Sequence, residues 1–193
     1  MRFCRVVAKV ALNSTVFGLE RMPRLFLFAV FCFSFGIIGS ASGQAVLPKG
    51  VPPMEFGRDV MVITTSKGQF VYDVEVAITP DQQARGLMWR PVLGPNKGML
   101  FIFGQQRNLS FWMQNTLIPL DMVFIDNQGE LVNIEREAAP QTRTPRPSNG
   151  PARFVLEIDG GDAELLGIDQ NSTFEFGEAT LQFLAASRLP YDG

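Results

Sequence analysis

Five residues in this chain have the types and spacing that could do chemistry: Arg90, Trp112, Asn115, Asp121 and Glu157. Three of them fall in one block, FWMQNTLIPLDMVFID, which threads polar and aromatic side chains through an otherwise apolar segment from Phe111 to Asp126. There Trp112 offers an indole face for stacking, Asn115 an amide that orients a polar ligand, and Asp121 a carboxylate placed to act as acceptor, base or metal ligand. Arg90 follows Trp89 and brings a planar donor fork that matches a carboxylate or phosphate. Each residue also has a plainer reading. Asp121, just after Pro119, can cap the preceding turn, and Asn115 with Thr116 can close an Asx or Thr turn. Arg90 can pair internally with Asp121 or Glu157, and Trp112 can pack in the core. Glu157 alternates with Phe154, Leu156 and Ile158, which predicts a solvent-facing carboxylate. If it faces Asp121 instead, the two form the carboxylate pair that glycoside hydrolysis needs.

Much other chemistry is absent. Cys4 and Cys32 both lie in the first 45 residues, and the chain has no histidine. Past that leader there is no thiol nucleophile, disulfide, imidazole base or Cys/His zinc site. No cofactor is expected, and no acidic loop has the spacing of a calcium loop. The leader itself reads as an export signal: Arg21 and Arg24, an apolar run from Leu25 to Ile38, then small residues ending at Ala45. An uncleaved membrane anchor is the alternative, and Met22 is a candidate start. After Ala45, twelve basic and eighteen acidic side chains leave a net charge of −6, so nucleic acid is not an expected partner. The expected location is periplasmic or secreted, with membrane contact only through the N-terminal segment.

The elements that must position these residues are short. Residues 46–57 hold three prolines and predict a linker; residues 58–180 predict one domain, and 181–193 a tail. DVMVITT and QFVYDVEVAI flank a Ser-Lys-Gly turn and predict a hairpin, with Val74, Val76 and Ile78 on one face. Thr79, Pro80 and Gln82 make a capping box for a short helix that Gly86 ends. GMLFIF is apolar on both faces, as in a covered strand. Residues 104–109 read as a loop, with strand-like SFWMQ and DMVFID beyond it. Asn127-Gln128-Gly129 turns into ELVNIER. Residues 137–152 have four prolines and no periodicity, which predicts a long loop. RFVLEI, one helical turn in GGDAELLGI and STFEF follow. The sum is a mainly β domain, an antiparallel sandwich or partly open barrel with one short helix.

These blocks resemble a known family. VEVAITPDQQARGLMWR, GMLFIF, FWMQNTLIPLDMVFID and FVLEIDGG are similar to the pattern of domain-of-unknown-function family 192 (DUF 192), and the likeness runs from about Phe70 to Phe176. The resemblance implies a compact, mainly β, frequently exported fold, and it implies no reaction.

Binding is the preferred reading, because the usual activated nucleophiles are missing. The expected ligand is a small polar or glycan-like molecule held in a shallow cleft by Arg90, Trp112, Asn115 and Asp121. The alternatives are a carboxylate-based hydrolase of cell-envelope sugars using Asp121 and Glu157, and a structural or assembly partner acting through an apolar patch or sheet edge.

Overall fold

The computed structural model describes residues 44–187; the leader and the last six residues, with the expectations attached to them, lie outside the described part. Seven strands form one mixed sheet that curls into a half-barrel. They are β1 (Gly57–Thr65), β2 (Gly68–Ala77), β3 (Lys97–Phe111), β4 (Leu120–Ile125), β5 (Leu131–Ala138), β6 (Arg146–Asp159) and β7 (Thr173–Phe176). Their spatial order is β5-β4-β6-β3-β2-β1-β7. All neighbours are antiparallel except β2 and β3. That parallel pair needs a crossover, and α1 (Pro80–Arg85) supplies it. Two further helices, α2 (Asp162–Leu166) and α3 (Glu178–Ala186), accompany the sheet where the sequence predicted one helix and a helical turn.

The local signals form as read. Thr79 Oγ1 accepts the Gln82 N–H, and the Gln82 side chain accepts the Thr79 N–H, closing the capping box. Gly86 then stops α1 at φ +45° and ψ −139°, a positive-φ conformation outside the left-handed helical well. The hairpin of β1 and β2 turns at Lys67, and β4 turns into β5 through Asn127 and Gly129.

Other segments differ from expectation because long-range pairing decides them. Residues 104–109 continue β3, which bulges between Ile102 and Arg107 as it pairs with β6. The expected long loop shrinks to 139–145, since Arg146–Ala152 lies along the second half of β3. Pro147 and Pro151 cannot donate to this ladder, and the Leu109 N–H is satisfied by the Ser148 hydroxyl. Trp112–Gln114 leaves the strand for a turn. The expected linker lies against the domain: Val46 N–H donates to Trp89 O, Gln82 Nε2 to Glu55 O, and Arg85 to Pro52 O. Past residue 180, α3 packs Leu184 into the core, and Asp59 accepts the Thr180 N–H at its start.

Strand alternation sorts the core onto two faces of the sheet. Val74, Val76, Leu100, Ile102, Val123, Phe154, Leu156 and Ile158 build one cluster, which β7, α2 and α3 help cover. Ala77, Met99, Phe101, Phe103, Met122, Phe124 and Val155 build the other, under Leu87, Leu93 and Met113. Glu157 belongs by parity to this second face, and so does Ala77.

Candidate functional site

Glu157 is the most unusual group in the described structure. It projects from the interior strand β6, opposite Met99 on β3 and Met122 on β4. Two methionines across the strands, and Phe101 beyond them, leave the residue only 4% exposed, the reverse of the solvent-facing position expected for it. Burial alone pushes its pKa up to about 8 from the ordinary 4.5. Among the described residues no hydrogen bond or ion pair reaches this carboxyl. Burial therefore favours the neutral acid at pH 7, which presents one donor and one acceptor.

A pocket of about 250 Å³ stands over it. Its back wall is aromatic: Phe111 meets Phe101 and Phe124 edge to face, with ring centroids 5.0 and 5.9 Å apart, and Phe103 adds a further side. Leu87 and Met88, just past α1, form the opposite wall. Buried Thr116 and half-buried Arg85 also line it, and the exposed Trp112, Ser110 and Arg107 form its rim. Gly86 keeps the space above the acid open, because a β-carbon there would lie 3.2 Å from Phe101 Cζ and 4.0 Å from Glu157 Oε2. The volume is just below the roughly 300 Å³ at which ordinary ligand pockets begin, enough for a single ring.

Trp112 is 55% exposed, not packed in the core. The turn that follows explains this. Met113 drops fully into the second core cluster, its N–H donating to Thr142 O, while Thr116 N–H donates to Met113 O. With Met113 anchored inward, its neighbour Trp112 is left at the rim. Asn115 takes a left-handed conformation at φ +59°, and its carbonyl accepts the Trp89 N–H. Its side chain reaches Met88 Sδ at 3.7 Å. Asn115 thus shapes the wall without lining the pocket.

The structure does not bring the remaining sequence candidates together. Arg90 pairs with Glu75, its Nη1 3.0 Å from Oε1, and meets neither Asp121 nor Glu157. The reason is placement: the loop after α1 runs beside β2, whose Glu75 lies opposite Met99 at the border of the second face. This pair lines a neighbouring cavity of about 510 Å³, bounded by parts of the segment 44–56, Arg58 and Met88. Asp121 is fully buried and accepts three backbone N–H groups, from Glu137 at 2.7 Å, Gly161 at 3.0 Å and Ala163 at 2.8 Å. It caps the start of α2 and a positive-φ residue of β5, not the turn before it.

Sheet parity also separates the two carboxylates proposed as a hydrolytic pair. Asp121 stands opposite Ile158 on one face, and Glu157 opposite Met122 on the other. The sheet lies between them, so the two carboxyls do not face a common cleft. One signal for the burial of Glu157 was present in the sequence: Val155, two residues earlier and on the same face, makes RFVLEI apolar on both sides. Among the described residues no three Asp, Glu, Cys or His side chains gather as a metal site.

Two solved structures are similar to this chain. A provisionally described transcription regulator from Sinorhizobium meliloti 1021 is 33% identical, with a TM-score of 0.62 over 65% of this chain and 98% of that one. A protein of unknown function from Novosphingobium aromaticivorans DSM 12444 is 37% identical, also at 0.62, over 70% of this chain and 97% of its own. No curated protein matches the chain. The family model of DUF 192, described as "Uncharacterized ACR", matches residues 62–176. That span contains the whole Glu157 pocket, and the chain belongs to the DUF 192 family.

Proposed function

We propose that the domain binds a small, polar, ring-shaped molecule in the pocket over Glu157, with a glycan unit as the leading class. The observation that carries the reading is the buried Glu157 carboxyl, which has no protein partner and opens into an accessible pocket. With no protein partner, the hydrogen-bonding capacity of this carboxyl is available to whatever enters the pocket. A ligand hydroxyl or amide satisfies both the donor and the acceptor of the neutral acid. Trp112 supplies the stacking face, and the phenylalanine wall excludes water from behind. Compared with the cleft expected from the sequence, Trp112 stays, Glu157 enters, and Arg90, Asn115 and Asp121 become support.

The test uses the two tryptophans of the chain, Trp89 and Trp112. A panel of monosaccharides, sugar acids and small ring metabolites is titrated while tryptophan emission is followed, and hits are repeated by calorimetry on Glu157→Gln and Trp112→Ala. Binding should fall at least tenfold in each variant. A panel in which nothing binds, or binding that survives both substitutions, would remove the pocket from the proposal.

Export with cleavage near Ala45 belongs to the same reading, supported by the charged start, apolar run and small-residue end of the leader. Mass spectrometry of the protein from its host should find an N-terminus close to Gln44 or Val46. A mature protein beginning at Met1 or Met22 would overturn it.

A further inference from the structure

We infer that the ligand of the Glu157 pocket is an anion: a ring bearing a carboxylate, with the ring over Trp112 and the carboxylate at the guanidinium groups of Arg107 and Arg85. The inference rests on the proposed binding function and specifies the charge of what binds.

Charge distribution is the first support. Arg85, Arg107 and Glu157 are the ionisable side chains that line this pocket. Two arginines face one carboxyl in this lining, and burial of Glu157 disfavours its negative form, so positive charge dominates. The chain after Ala45 is acidic overall, with eighteen acidic against twelve basic residues. A positive pocket in an acidic domain attracts an anion locally, and the low-dielectric phenylalanine wall strengthens the effect.

The second support is the state of Arg107. Its guanidinium lies over the Phe103 ring, 5.2 Å from the centroid, and among the described residues no carboxylate or carbonyl accepts from it. Arg107 is solvent-exposed, and contact with the ring face leaves its N–H donors available for a carboxylate. Arg107 also sits where β3 bulges, between Ile102 and the pairing of Arg107 with Ala152. Bulges re-aim side chains, and this one delivers an arginine to the rim. Arg85 is held differently: its Nη1 donates to Pro52 O, and the guanidinium stacks 5.1 Å from the Trp89 centroid. It lines both this pocket and the neighbouring cavity, so an anion there also meets the segment of residues 44–56.

A cationic ligand fits poorly. It would have to pass two arginines to reach an acid whose negative form burial disfavours. A neutral sugar would satisfy Glu157 and Trp112 but leave the Arg107 donors to water.

The experiment compares acids with isosteric amides on the intact chain: glucuronate against glucuronamide, and benzoate against benzamide, by calorimetry at low and moderate salt. Each acid that binds should bind at least tenfold more tightly than its amide, the preference should shrink as salt rises, and Arg107→Gln should abolish it. The glucuronate and benzoate arms distinguish a sugar acid from an aryl acid. Equal binding of acid and amide in the parent protein, or a preference that Arg107→Gln leaves intact, overturns the anion inference while the pocket stands. Failure of all four compounds to bind overturns it as well, and when neutral members of the wider panel also fail, the pocket reading falls with it.

Discussion

Replacing Glu157 with glutamine should make the domain more stable in alkaline solution, because the native residue stands where its charge is least welcome. The folded protein holds the Glu157 proton up to about pH 8, whereas the unfolded chain releases it near the ordinary 4.5. Between those values the native state binds more protons than the unfolded state, so stability falls as pH rises through the window. Below about pH 4.5 both states are protonated and there is no penalty; above about 8 the full penalty applies. At about 1.4 kcal/mol per pH unit, the window corresponds to an upper limit of about 5 kcal/mol. Local opening and water entry reduce this, and about 3 kcal/mol is a reasonable expectation. Glutamine fills a similar volume and cannot ionise. Urea melts of the parent and Glu157→Gln at pH 5, 7 and 9 should give midpoints that nearly agree at pH 5 and diverge in favour of the variant by pH 9, with unchanged m-values. Pocket binding should be weakened in the same variant, the trade expected where a functional group is kept at a cost in stability. Parallel pH profiles for the two proteins would refute the argument, since they would mean that Glu157 titrates like an exposed carboxylate.

Asp121→Asn should destabilise by about 3 kcal/mol, because one charged group now accepts three backbone N–H bonds and the amide turns an N–H toward at least one of them. Binding in the pocket should be unchanged, as Asp121 lies on the other face of the sheet; lost binding with native stability, measured by calorimetry beside urea melts, would reverse that assignment. Glu75→Gln should lower stability by about 2 kcal/mol in the same melts, since it leaves the mostly buried Arg90 guanidinium without its carboxylate. An unchanged midpoint would mean that the pair is solvated. Trp112→Ala should alter stability by no more than about 0.5–1 kcal/mol, because the indole is already more than half exposed. A larger loss in thermal melts would place it in the core.

Local signals were readable residue by residue. The capping box at Thr79 and Gln82 depends on contacts within four positions, and the β4–β5 turn on the conformational preferences of Asn127 and Gly129, so no distant partner was needed. The segments that resisted share a different cause. Arg146–Ala152 carries prolines and no periodicity, yet it is a strand because β3 lies alongside it; Gly104–Leu109 is a strand for the same reason. Leu184 is held in a helix by the first core cluster, not by a strong local signal.

The site divides along the same line. By itself the sequence determined the chemical inventory: carboxylates and arginines without histidine, and a conspicuous Trp-Asn-Asp block. It also determined the β class of the domain and the alternation within each strand. Which residues meet was decided only by the tertiary structure. Alternation says that Asp121 and Glu157 each point to one face of a strand. Only the register of β4 against β6 says that these faces are opposite, and only the covering of both faces turns Glu157 from a surface charge into a buried acid. Burial is a property of what packs above a residue, and for Glu157 that cover comes from segments 40 to 70 positions away in the chain, around Leu87 and Trp112.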